Sequence, residues 1–142
     1  MVSKQSTNQH QRTRRDHATE TAEDYVEAIA AIIDGKEKCR VTDLAEHFAV
    51  SHVTVTKTVS RLKKEGLVET EPYGPIFLTS NGRALAENSR VRHVIVLDFL
   101  LALGVTQATA QFDSEGIEHH VSQETLQRMK EFTLRQPKPD SL

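Results

Sequence analysis

Residues 40–66, RVTDLAEHFAVSHVTVTKTVSRLKKEG, constrain the fold more than any other stretch. Leu44, Ala45 and Phe48 fall on one side of a short helix that Thr42 is placed to cap. Ala49-Val50 gives a tight turn, and Ser51 supplies an N-cap for a second helix. In that helix Val55, Val59 and Leu62 recur at four and three residues, the spacing of a buried stripe. Its other side carries Val53, Lys57, Ser60 and Lys64, flanked by Thr56 and Arg61. Two short helices about a tight turn, the second polar and basic outside, make a helix-turn-helix whose second helix reads DNA. Any amphipathic helix has a charged outer face. The turn and the paired caps set this one apart.

Residues 66–79 complete the motif. They place two short apolar runs around Pro72-Tyr73-Gly74-Pro75, which predicts a β-hairpin. A hairpin directly after a recognition helix is the wing of a winged helix. Tyr73 at its tip is either a contact to the sugar-phosphate backbone or a plain turn residue. The candidate DNA-contacting residues are therefore Thr42, Ser51, His52, Val53, Thr56, Lys57, Arg61 and Tyr73.

Upstream, Tyr25, Ile29, Ile32 and Ile33 mark a helix from about residue 21, with Gly35 as its stop. Asp24 and Glu27 lie three apart on this helix, on the side away from the stripe. Residues 1–20 are polar and basic, with Arg12, Arg14 and Arg15 as potential phosphate contacts, and are expected to be disordered. Downstream, Thr79 or Ser80 starts a long helix ending near Gly104, whose second half, VIVLDFLLAL, is apolar almost all round. Such a helix is buried in a core or against a partner, and a dimer interface fits a chain this short. Ser122 caps a last helix with Leu126, Met129 and Phe132 inward.

Composition narrows the chemistry. The 142 residues carry a net charge of -2, yet Ser51 to Glu65 holds four basic residues against one acid. Thr106 to Glu124 holds four acids and no Lys or Arg. One region suits phosphate and the other suits cations. The lone Cys39 excludes an internal disulfide and any CxxC site. Residues 1–20 lack the apolar core of a signal peptide, and Val94 to Val105 is too short to span a bilayer. The expected location is the cytoplasm.

The acidic region contains the octet Asp113-Ser114-Glu115-Gly116-Ile117-Glu118-His119-His120. On a helix, Glu115, Glu118 and His119 share one face, two carboxylates beside an imidazole. Those donors suit a divalent cation of the manganese or iron type. A solvated acidic face has the same pattern. His93, at the head of the apolar run, is a structural histidine or a further ligand. A di-iron carboxylate enzyme could also use Asp24, Glu27, Glu115, Glu118 and a histidine. Such bundles carry paired Glu-x-x-His motifs, and neither helix here offers one. Phosphate loops, nucleophile elbows and HExxH motifs are absent from the sequence.

The succession EDYVEAI (23–29), VTDLAEHFAVSHVTVTKTVSRLKKEGLV (41–68), FLTSNG (77–82), RH (92–93) and EGIEHHVS (115–122) resembles the diphtheria-toxin-repressor family. Within that family it is most similar to the manganese transport regulators, over about residues 21–135. The resemblance implies a homodimeric winged-helix repressor whose DNA binding depends on a divalent metal. Carried over position by position, the ligands fall on Asp24, Glu27, His93, Glu115, Glu118 and His119. The resemblance also implies a binuclear Mn(II) site bridged by Glu27 and Glu115. Iron-responsive members have methionine and cysteine where Asp24 and Glu115 stand. Two carboxylates make the site harder and favour manganese, with Fe(II) as the alternative. The chain is also too short for the third domain of the iron-sensing members.

The expected architecture is mainly α. A disordered basic extension (1–20) precedes an N-terminal winged helix-turn-helix domain (21–81). An α-helical metal-binding and dimerisation domain (82–135) and a flexible tail (136–142) come after it. The expected function is manganese-responsive repression of manganese uptake genes, without enzymatic activity. Metal held between the domains would fix the dimer for a palindromic operator.

Overall fold

The computed structural model describes residues 4–137, so most of the expected tail lies outside the described residues. In chain order it comprises α1 (Lys4–Lys36), α2 (Val41–Phe48), α3 (His52–Lys64), β1 (Val68–Thr70), β2 (Ile76–Leu78), α4 (Ser80–Ala102), α5 (Gln107–Ile117), a 3₁₀ turn (Glu118–His120) and α6 (Gln123–Arg135). The chain divides into two compact units between Asn88 and Ser89, inside α4. Among the described residues no helix is long and apolar enough to cross a membrane.

The first unit is built around α1. Tyr25 and Ile29 are buried with Leu44 and Ala45 of α2 and Val55, Val59 and Leu62 of α3. Tyr25 stacks on Phe48 with ring centroids 4.5 Å apart. Each fully buried aliphatic side chain here, such as Ile29, Leu44 or Leu62, contributes about 1.5–3 kcal/mol. Between α2 and α3 the turn is made by Ala49, left-handed at φ 53. Ser51 then caps α3, its Oγ accepting from Thr54 N at 3.1 Å. The hairpin is antiparallel, with Val68 opposite Leu78 and Thr70 opposite Ile76. It is tied to the body by Ile76 N donating to Cys39 O at 2.8 Å. Burial, with Asp43 nearby, pushes the Cys39 thiol up to about 11, so it packs rather than reacts.

Four local expectations change. Thr42 is not the cap of α2. Arg40 holds that position with extended backbone, and its N donates to Asp43 Oδ2 at 2.9 Å, so the helix starts two residues earlier. Gly35 does not stop α1; Glu37 takes the left-handed conformation at φ 70 instead. The basic extension is helical from Lys4 rather than disordered. It contains no proline or glycine, and lengthening an existing helix avoids the cost of a new nucleus. The octet is not one helix, because α5 ends at Ile117 and residues 118–120 tighten into the 3₁₀ turn before Val121 extends into α6.

The second unit packs Val96 and Leu100 of α4 against Ala110 of α5 and Leu126 of α6. Phe99 and Phe132 meet edge to face at 5.5 Å. α4 ends at Ala102, and Gly104 two residues on takes a φ of 97 that suits glycine. Much of the apolar run over residues 94–103 nevertheless stays partly open, with Val94 at 42% and Leu103 at 55% exposure.

Candidate metal centre and nucleic-acid interface

Within the second unit three of the candidate ligands converge. His93 projects from α4, Glu115 from the last turn of α5 and Glu118 from the 3₁₀ turn. His93 Nδ1 lies 3.0 Å from Glu118 Oε2 and 3.6 Å from Glu115 Oε1. One ligand atom from each of the three lies within 4.8 Å of the others. The Glu118 side chain is fully buried, whereas Glu115 is 61% exposed. Glu118 Oε1 also lies 3.5 Å from His119 Nε2, and the His119 side chain is buried too.

This donor set fits a divalent cation. A carboxylate taken out of water is costly unless compensating charge or hydrogen bonds reach it. Imidazole nitrogen with carboxylate oxygen is the set that manganese, iron and zinc accept, and no sulfur is among the three. The open side of Glu115 gives an ion a way in. The fourth and fifth candidates, Asp24 and Glu27, are half-buried on α1 in the first unit. Periodicity places both toward solvent, away from the Tyr25 stripe. The helix instead buries Ala22, Glu23, Val26 and Ala28 as well, more than one face wide.

The first unit carries the second constellation. On α3, His52, Val53, Thr56 and Lys57 are exposed, with Val53 at 63%. Ser51 is also exposed, but its hydroxyl is engaged in the cap. Arg61 is half-buried, with its Nε 3.7 Å from Glu65 Oε1. Tyr73 stands fully exposed at the hairpin tip in a left-handed conformation, φ 57. Thr42 is exposed on the first turn of α2. A cleft of about 590 Å³ between α3 and the hairpin brings Thr42, Thr56 and Tyr73 together with Arg40 and Lys63. The sequence pattern does not single out Arg40 or Lys63 as contacts. Both have the charge for phosphate, but their meeting depends on the hairpin folding back beside α3, which spacing along the chain does not reveal.

Known proteins share this organisation. The family description "Iron dependent repressor, N-terminal DNA binding domain" matches residues 17–76. "Iron dependent repressor, metal binding and dimerisation domain" matches residues 79–140. The chain is 45% identical over 122 residues to "Transcriptional regulator MntR" of Escherichia coli O6:H1, covering 86% of this chain and 79% of that one. Among solved structures, "Structure of the manganese regulator SloR" is similar with TM-score 0.69 and 30% identity, over 82% of this chain. "Manganese-dependent transcriptional repressor complex with manganese" is similar with TM-score 0.70 and 29% identity, over 79% of this chain. The chain spans about half the length of those two solved proteins, 54% and 52%. With both family regions matched in order across nearly the whole sequence, the chain belongs to the diphtheria-toxin-repressor family of metal-dependent transcriptional regulators, on its manganese-regulator branch.

Proposed function

We propose that the protein is a manganese-responsive repressor of manganese uptake genes, acting in the cytoplasm as a homodimer on a palindromic operator. One observation carries this reading: a buried carboxylate, Glu118, faces His93 Nδ1 at 3.0 Å with Glu115 beside it, on a chain that also presents a basic recognition helix. The names of the relatives point to manganese, and the sulfur-free donor set agrees.

A bound divalent cation would supply positive charge where carboxylates otherwise repel one another. The remaining roles belong to the chain itself. His93 offers Nδ1, which must be free of its proton to serve as a ligand. Glu118 Oε2, out of water and 3.0 Å from Nδ1, accepts from that nitrogen while it carries a proton and stands beside it as a second donor to a cation once the proton has left. Glu115 stands at the solvent side. We assign Asp24, Glu27 and His119 to the residues that would hold divalent metal together with His93, Glu115 and Glu118; the family resemblance supports this assignment.

On the DNA side, Lys57 and Arg61 answer phosphate, while Val53 and Thr56 offer methyl groups to base edges in the major groove. Thr42, Ser51, His52 and Tyr73 are assigned as flanking contacts. A second copy sets the separation of the two recognition helices and so the half-site spacing. The partly open apolar run on α4, with Val91 and Val94, is the surface we assign to that copy.

Operator retardation measured across a series of divalent metals at buffered free concentrations tests the proposal. Mn(II) should confer specific retardation that chelation removes. Metal-independent retardation would contradict it. A response confined to Fe(II) would move the protein to the iron branch, and oxygen consumption by iron-loaded protein would favour a di-metal oxidase.

A further inference from the structure

α1 is longer than the winged helix needs. The matched DNA-binding region begins at residue 17, yet the helix runs back to Lys4. Residues 4–17, KQSTNQHQRTRRDH, contain no apolar side chain, and residues 8–15 are all exposed. A helix polar all round has no apolar face to bury in the core. This segment carries Lys4, Arg12, Arg14 and Arg15 against the single acid Asp16, in a chain whose net charge is -2. Three of the four cations are arginines, which match phosphate oxygens bidentately.

The arm also departs from an informative place. Ala18, Thr19 and Ala22 of α1 line a small cleft with Glu65 and Leu67, immediately after the C-terminal end of α3. The last turn of α3 carries Arg61, Lys63 and Lys64. The arginines of the arm lie on the same helix, three to six residues before Ala18 at that cleft. At 1.5 Å per residue, the stretch from Lys4 to Ala22 extends about 27 Å, the length of roughly eight base pairs.

We propose that residues 4–16 form a second, sequence-independent contact to duplex DNA, gripping phosphates that flank the sequence read by α3. This rests on the DNA-binding function proposed above and adds a surface outside the matched family region. Because α1 is one helix from the arm into the core, the arm is held by its own backbone rather than tethered by a loop.

The test compares the full-length, Mn(II)-loaded chain with Arg12→Gln/Arg14→Gln/Arg15→Gln, a change that keeps helix propensity. Operator affinity is measured against salt on a duplex with long flanks. Each lost phosphate contact removes about 0.9 from the slope of log K against log salt. The triple variant should therefore show a slope shallower by about two to three. On a duplex trimmed to the operator core the difference should vanish, and the corresponding Arg→Lys variant should keep most of the slope. Equal slopes on the long duplex would overturn the proposal. So would an unchanged slope with weakened dimerisation, which would assign the arm to a second copy of the chain. Metal-dependent retardation by the parent protein with equal slopes sinks the arm alone; no retardation by the parent protein sinks the function and the arm together.

Discussion

Glu118 and Glu115 are the same residue type three positions apart, yet one side chain is fully buried and the other 61% exposed. Their chemistry differs accordingly. The buried one must be matched by the groups that face it, and the exposed one can be removed without opening the core. Glu115→Ala should therefore abolish metal-dependent operator binding while the dimer stays folded. Circular dichroism and sedimentation read the fold, and retardation reads the response; a retained metal response would contradict the site. Only the unprotonated imidazole nitrogen of His93 can hold a metal, so His93→Ala should weaken Mn(II) binding measured by calorimetry, and an unchanged affinity would argue against imidazole ligation. The residue types and spacing of this cluster were legible in the sequence. Which carboxylate is buried was not, because that depends on the 3₁₀ turn at Glu118, a feature set by how α5 hands over to α6.

Elements are more legible in the sequence than their ends. The stripe Val55, Val59 and Leu62 locates α3, and the Ser51 cap fixes its start, because both signals are local. The start of α2 is harder to place because its cap is made by two partners. Asp43 accepts from Arg40 N at 2.9 Å while Lys36 Nζ reaches Asp43 Oδ1 at 2.8 Å. The Lys36 contact and then the Arg40 bond hold the Asp43 carboxyl below its ordinary value of 3.8. A lowered carboxylate contributes stability that is complete above the ordinary value and lost as pH falls through the lowered one. Asp43→Ala should accordingly cost about 1 kcal/mol at pH 7, the usual size of a lost helix cap. Urea unfolding should show that cost shrinking below pH ~4. A cost independent of pH would remove the ionised carboxylate from the explanation. On α3 the exposed Lys57 is separate from this network. Lys57→Ala should weaken operator binding and lower the salt slope by about one, with Mn(II) uptake unchanged.

At the scale of the whole molecule, the chain joins a winged-helix unit to a helical unit that carries the ligand cluster, with the division falling inside α4. The sequence displays both halves because a helix-turn-helix and an acidic octet are each contiguous. It does not display the helical arm of α1, since a polar basic stretch reads alike whether disordered or helical. Joining a DNA-binding unit to a metal-binding one in a single chain has a thermodynamic consequence: if metal strengthens operator binding by some factor, operator must strengthen metal binding by the same factor. Typical couplings of this kind are about 1–3 kcal/mol, or roughly 5- to 150-fold. The most direct measurement is a Mn(II) titration of the protein with and without operator DNA. Tighter Mn(II) binding in the presence of operator, by a factor equal to the gain in operator affinity, is the predicted result; identical Mn(II) affinities in the two titrations would contradict it.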